Sequence, residues 1–173
     1  MRTTKYRGYD KEGRCWRYGY YFLKEDITLC AIYDSKEQYE KDKENNEHHL
    51  ILWNGFSDWN MPKQHYQSEV DGESVGQFTG LYDKNKKEIY NGDIVKSTKS
   101  KYKRFDDDGI YEVYFNKFLC HYALIASRNE WETKHGQYDN YSLTGCKAKE
   151  FEVIGNIYEN LELLENKQLW LNQ

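Results

Sequence analysis

The sequence predicts a mainly β protein: short antiparallel strands in one or two small barrels, with one or two short helices. Three observations predict it. Apolar and aromatic residues alternate with polar ones over most of the chain, which is the period of a strand. Asx- and Gly-rich turn signals separate the alternating runs, as short strands closed by tight turns require. The chain has 173 residues, of which 5 are Trp, 17 Tyr and 7 Phe. Disordered chains are poor in such rings, so this one folds and uses Tyr and Trp for much of its buried area.

The elements follow in order. In "RCWRYGYYFL" Trp16, Tyr18, Tyr20 and Phe22 share one face of a strand. "ITLCAIY" reads as its hairpin partner, with "KED" near the turn. "DSKEQYEKDKENNEHH", residues 34–49, is almost wholly polar and reads as a solvated helix or an excursion. "HLILWNGF" is a short strand ended at Asn54-Gly55. Residues Leu81 to Val95 read as strand-turn-strand, with Asp83 capping its own backbone, Asn85 suited to positive φ, and a second turn at Asn91-Gly92. "GIYEVYF" aligns Tyr111, Val113 and Phe115, and "FLCHYALIA" aligns Phe118, Cys120, Tyr122 and Leu124, with a hairpin join at Asn116-Lys117. "EFEVIGNIYEN" is a last strand carrying Phe151 and Val153, with Gly155 marking a bulge. "LELLENKQLWL" ends as a short helix carrying Leu161, Leu164 and Leu169.

The length suits one domain over residues 1–173, with room for two β sub-domains meeting near residues 70–80. A net charge of −4 weighs against a dedicated nucleic-acid binder, although a local basic patch is compatible with it. The mean hydropathy is −1.05, and no run approaches the length needed to span a bilayer. The polar start "MRTTKYRGYD" has no apolar segment of a secretory signal, and the four cysteines, at 15, 30, 120 and 146, form no C-x-x-C pair. A cytoplasmic protein with reduced thiols is expected.

The stretch "VGQFTGLYDKNKKEIYNGDIVK", Val75 to Lys96, poses the sharpest chemical question. Gly76, Gly80 and Gly92 fit neither G-x-G-x-x-G nor G-x-x-x-x-G-K-[ST], and no helix follows them. Asp93 would repel a phosphate, so the glycines read as turn residues. The five histidines lack metal-ligand spacing; Cys120 and His121 would point to opposite strand faces, which argues against a site shared with Cys146. Ser74 and Ser127 have no nucleophile context, and Asp106, Asp107 and Asp108 form an incomplete cation loop. No catalytic residue, cofactor or metal is assigned. One basic stretch, Lys96 to Phe105, interleaves Lys99, Lys101, Lys103 and Arg104 with Tyr102, and is the candidate nucleic-acid surface.

Three segments carry a family resemblance. "EVDGESVGQFTGLYDKNKKEIYNGDIVK", Glu69 to Lys96, resembles the signature of the YopX family of phage and prophage proteins. "FEVIGNIYENLELL", Phe151 to Leu164, is similar to the family's closing motif, and "KYRGYDKEGRCWRYGYY", Lys5 to Tyr21, to its opening. The matching positions include Gly76, Gln77, Phe78, Thr79, Gly80, Leu81, Gly92, Asp93, Ile94, Gly155 and Asn156, all read as structural. Asn85-Lys86 stands where members often have Asn-Gly, so a longer or bulged connection is expected there; Leu161 stands where they favour Pro. The resemblance implies a β-rich fold, SH3-like in part, acting in the cytoplasm of a bacterial host. It implies no enzymatic activity. The leading expectation is a phage accessory protein that binds a host or phage protein or associates with itself. Nucleic-acid binding ranks second, and a metal-dependent hydrolase assembled only on folding ranks last. No membrane role is expected.

Overall fold

A computed structural model describes residues 4–26, 33–55, 64–98, 109–125, 141–143 and 148–165. They form two compact units, Thr4–Gln77 and the chain from Phe78 onward.

In the first unit β1 (Tyr6–Asp10) turns into β2 (Cys15–Glu25), and the helix α1 (Lys36–Asn46) leads into β3 (Glu47–Asn54) and β4 (His65–Glu69). The β1–β2 turn closes because Asp10 Oδ1 accepts from the Gly13 N–H at 2.7 Å, while Arg14 takes the left-handed conformation at φ 50°. The strands run antiparallel in the order β4-β3-β2-β1. β2 changes partner along its length: Cys15–Gly19 pair with β1, and Tyr20–Glu25 pair with β3. The second strand of the hairpin expected between Trp16 and Tyr33 falls on residues 27–32, which lie outside the described residues.

The polar segment is helical, as one of the two sequence readings had it. Ser35 caps α1 by accepting from the Gln38 N–H at 3.2 Å. Lys36–Glu40 and Lys43–Glu47 pair one turn apart along its exposed surface. A helix this polar has no apolar stripe to bury, which is why it stays solvated.

β5 (Gly76–Tyr82) continues from the first unit into the second. Its first two residues, Gly76 and Gln77, pair with β1, and Phe78 and Tyr82 pair with β6 (Glu88–Tyr90) on either side of a register shift. The second unit then builds a five-stranded antiparallel sheet in the order β10-β9-β8-β7-β11. Its strands are β7 (Asp93–Ser97), β8 (Ile110–Asn116), β9 (His121–Ile125), β10 (Tyr141–Ser142) and β11 (Phe151–Asn156). A short helix, α2 (Glu162–Glu165), follows; Leu169, expected on it, lies outside the described residues. Ile89, Val95, Val113, Leu124 and Phe151 form the centre of the core, with Tyr111 edge-on to Phe151 at 6.0 Å.

The expectation of small barrels is corrected to open ladders: among the described pairings, one sheet ends at β4 and β6, the other at β10 and β11. Two further expectations change. Phe118 and Cys120 belong to the β8–β9 turn, not to a strand face with Tyr122 and Leu124; Cys120 has φ 52° and Phe118 is 94% exposed. Asn116 holds this turn by accepting from the Phe118 and Leu119 N–H groups at 3.0 and 3.1 Å. Phe115 is exposed near the strand end, whereas Tyr111 and Val113 are buried.

Candidate functional site: an aromatic face on one strand

The motif around Val75 to Lys96 uses its polar groups to build turns. Gly76 and Gln77 pair with Arg7 and Tyr6 of β1. Phe78 packs against Tyr82 and Tyr90, with ring centroids 5.5 Å from each. Thr79 Oγ1 donates to the Ile89 carbonyl at 2.8 Å and accepts from the Leu81 N–H at 3.2 Å. Gly80 has φ 83° beside the register shift of β5. The connection beyond it spans residues 83–87, longer than a two-residue loop, and places Lys86, not Asn85, at positive φ (65°).

Asp83 is the centre of that connection. Its Oδ1 accepts from the Asn85 and Lys87 N–H groups at 2.7 and 2.8 Å, and its Oδ2 accepts from Val153 of β11 at 3.1 Å. A buried carboxylate is tolerated because backbone donors surround it. Asp93 caps the next turn by accepting from the Tyr90 N–H at 2.7 Å, with Gly92 at φ 80° and Ile94 fully buried behind it. Gly155 sits at the register shift of β11, and Asn156 Oδ1 accepts from the Tyr158 and Glu159 N–H groups.

Other sequence candidates separate or leave view. His48 and His49 point apart: His48 Nδ1 meets Glu69 at 3.0 Å, while His49 Nδ1 meets the Tyr21 hydroxyl at 2.8 Å. Lys99, Lys101, Tyr102, Lys103, Arg104, Cys146 and Asp106–Asp108 lie outside the described residues. Among the described residues, no three His, Cys, Asp or Glu side chains come close enough to hold a metal ion. A cleft of about 310 Å³ is lined by Lys11, Glu12, Glu69, Val70 and Asp71, with Lys11 bridging Asp71 across 2.6 Å.

The feature that does assemble lies on β2. Alternation puts Trp16, Tyr18, Tyr20, Phe22 and Lys24 on one face. Tyr18, Tyr20 and Phe22 are 46%, 62% and 54% exposed, so this row faces solvent. Cations attend it at one end: the Arg7 guanidinium lies 4.9 Å from the Trp16 ring centroid, and Lys5 Nζ lies 5.6 Å from that of Tyr18. Lys24 follows Phe22 at the other end and pairs with Asp26 at 2.8 Å, which holds the Asp26 carboxyl below its usual range.

The opposite face of β2 holds the strand in place. Tyr21 packs between Tyr6 at 5.4 Å and His49 at 5.9 Å, and burial pushes its phenol pKa up. Arg17 stacks on Trp53 at 4.8 Å, and Trp53 stacks on Tyr66 at 6.0 Å. Arg17 also donates to Asp10 at 3.1 Å. The Gly13 N–H, together with Arg17 and Ser68, keeps the Asp10 carboxyl below the usual 3.8. A Cβ on Gly19 would collide with the Leu52 carbonyl oxygen, so glycine lets β3 approach here.

The sequence identified this row as one face but not as the exposed one. Hydrophobicity favours the wrong side, because the inward face carries Arg17 and Gly19. On that face Ile51, fully buried, stands beside Tyr21, and the buried Val70 lies against Gly8 of β1; nothing local to β2 announces them.

The chain is similar to a solved structure, protein EF1440 from Enterococcus faecalis, at 20% identity and a TM-score of 0.42, with 95% of this chain and 99% of that one covered. No curated protein matches it. No helix among the described residues is long and apolar enough to cross a membrane. The YopX protein family matches residues 5–165, from the strand before the aromatic row to the helix after the closing motif, and the chain belongs to that family.

Proposed function

We propose that this chain is a phage- or prophage-encoded accessory protein that works by binding, not catalysis, in the cytoplasm of a bacterial host, and that the solvent face of β2 is its contact surface. One observation carries the reading: Tyr18, Tyr20 and Phe22 stand exposed in a row on a strand whose other face is packed. Large rings on a rigid element bury much apolar area at little entropic cost, which is the chemistry of interface hot spots.

The size of the row limits what it can do. Three half-exposed rings offer roughly 300–400 Å², the scale of a functional patch but about half of what each side of a stable protein interface buries. The row is therefore the centre of a contact, not the whole of one. The sequence-based reading of a protein partner or a second copy remains the simplest form of such contact.

The test is a Tyr20→Ser/Phe22→Ser double variant of the full chain. Light scattering over a concentration series and affinity capture from host lysate are compared with wild type. Loss of an association or of a captured species in the variant supports the reading. Identical behaviour of the two proteins sinks it.

A further inference from the structure

Of the sheet edges among the described residues, three are too short or already occupied to take a further strand. β6 has three residues and β10 has two. The outer side of β11 is filled by the turn at Asp83: the Phe151 carbonyl accepts from the Lys84 N–H at 3.0 Å, and the Val153 N–H donates to Asp83 at 3.1 Å. β4 differs. It runs for five residues, HYQSE, without proline, lysine or a register shift along its ladder with β3.

Bonds at the two ends of that ladder fix which groups of β4 face outward. The Gly55 N–H donates to the Gln64 carbonyl at 2.9 Å and the Val70 N–H to the His49 carbonyl at 2.8 Å, so the even-numbered residues of β4 bond to β3. The N–H and C=O groups of His65, Gln67 and Glu69 therefore point away from the sheet, and no described strand lies beyond them.

We infer that this edge pairs with the same edge of a second copy, antiparallel and centred on Gln67. That register joins outward residues to outward residues along the whole strand, with about six backbone hydrogen bonds. The side chains of HYQSE are complementary to themselves in it. His65 of each copy faces Glu69 of the other, and an imidazole N–H donates to a carboxylate in either protonation state. Glu69 is open to this: its Oε1 meets His48, its Oε2 is left for the second imidazole, and its side chain is 65% exposed. Tyr66, 45% exposed, faces the small Ser68, which leaves room for its ring across the join. Parallel pairing would instead set His65 beside His65 and Glu69 beside Glu69.

This contact does not depend on the β2 face being a binding surface, but it bears on it. Tyr20 and Gln67 both stand in register with Leu52, so they share a sheet face. A two-fold axis through the Gln67 pair keeps that face on one side of the joined sheet. The aromatic rows of the two copies then lie on the same side, about 24 Å apart across five strand spacings. A single short strand pair is a small interface, so exchange between monomer and dimer at micromolar concentration is expected.

The experiment is light scattering of the full chain over a concentration series, with amide exchange followed by NMR at its two ends. Gln67→Pro removes an outward N–H and leaves the β3–β4 bonds in place; Gln67→Lys keeps the N–H and sets like charges on the two-fold axis. Circular dichroism and melting check the fold, and Gln67→Lys decides if the proline variant melts early. The inference expects a dimer that Gln67→Pro abolishes and that Gln67→Lys and His65→Glu weaken roughly tenfold, whereas His65→Lys retains it. Amides of His65, Gln67 and Glu69 gain protection with concentration, and those of Tyr66 and Ser68 do not. A monomer throughout the series, a dimer indifferent to the Gln67 variants, or His65→Lys as damaging as His65→Glu overturns it. If Tyr20→Ser/Phe22→Ser abolishes the association and the Gln67 variants do not, the β2 face stands and the edge pairing falls. The reverse result leaves the edge pairing and removes self-association from the β2 face.

Discussion

Replacing Asp83 by Ala should destabilise the C-terminal unit by about 4 kcal/mol, because the carboxylate satisfies three backbone N–H groups at once. Asn85 and Lys87 are exposed, so water can take over their N–H groups at about 1 kcal/mol each. The Val153 N–H is bonded within the buried joint between the turn and β11, and leaving it bare costs about 2 kcal/mol. Asp83→Asn keeps one oxygen for the turn but presents an amide N–H₂ to the Val153 donor, so about half of the loss is expected. Urea unfolding followed by circular dichroism measures the global effect. Hydrogen exchange on peptides covering Phe151–Asn156 localises it, since a 4 kcal/mol loss corresponds to an increase of about a thousandfold in the opening equilibrium. A shift below about 1 kcal/mol for Asp83→Ala at unchanged denaturant slope would refute the argument that this carboxylate ties the turn to β11.

Further outcomes concern the turns and the frame of the aromatic row. Gly92→Ala should cost roughly 1–2 kcal/mol by urea titration, through its φ of 80° and not through crowding, since the nearest Ile157 atoms would lie at an ordinary 3.4 Å. Gly19→Ala should lower the melting temperature by several degrees and increase exchange across the β2–β3 ladder, because the new methyl meets the Leu52 carbonyl. Asp10 has a depressed pKa, so its stabilisation is fully present above the usual 3.8 and is lost as pH falls through the lower folded value; the stability gap between wild type and Asp10→Asn should be constant near neutral pH and close only below about pH 4. Asn116→Ala should release the β8–β9 turn, with about 1 kcal/mol lost and faster exchange at Phe118 and Leu119.

Local features were legible in the sequence because local chemistry decides them. The Asn91-Gly92 turn, the capping oxygen of Asp83, the bulge at Gly155 and the hairpin after Asn116 each follow from a few adjacent residues, and each occurs where the pattern placed it. The polar run with Ser35 at its head could become a helix because Ser35 caps it and pairs spaced by four line its surface. Strand partners were less legible. Residues 27–32 of the run that follows β2 lie outside the described residues; among the described strands β2 lies between β1 and β3, and its pairing with β3 depends on a chain segment tens of residues away. β1 and β4 were missed, since "YRGYD" and "HYQSE" are short and polar and become strands by joining existing edges.

By itself the sequence determined the period of the chain, its turn positions, its family and the sharing of one strand face by Trp16, Tyr18, Tyr20 and Phe22. Only the tertiary structure decided which way that face points. A strand's two-residue period is symmetric between its faces, so no pattern within β2 can distinguish core from solvent. The other side is the one that packs, Tyr21 against Tyr6 and His49 and Arg17 against Trp53, and the three rings are left exposed.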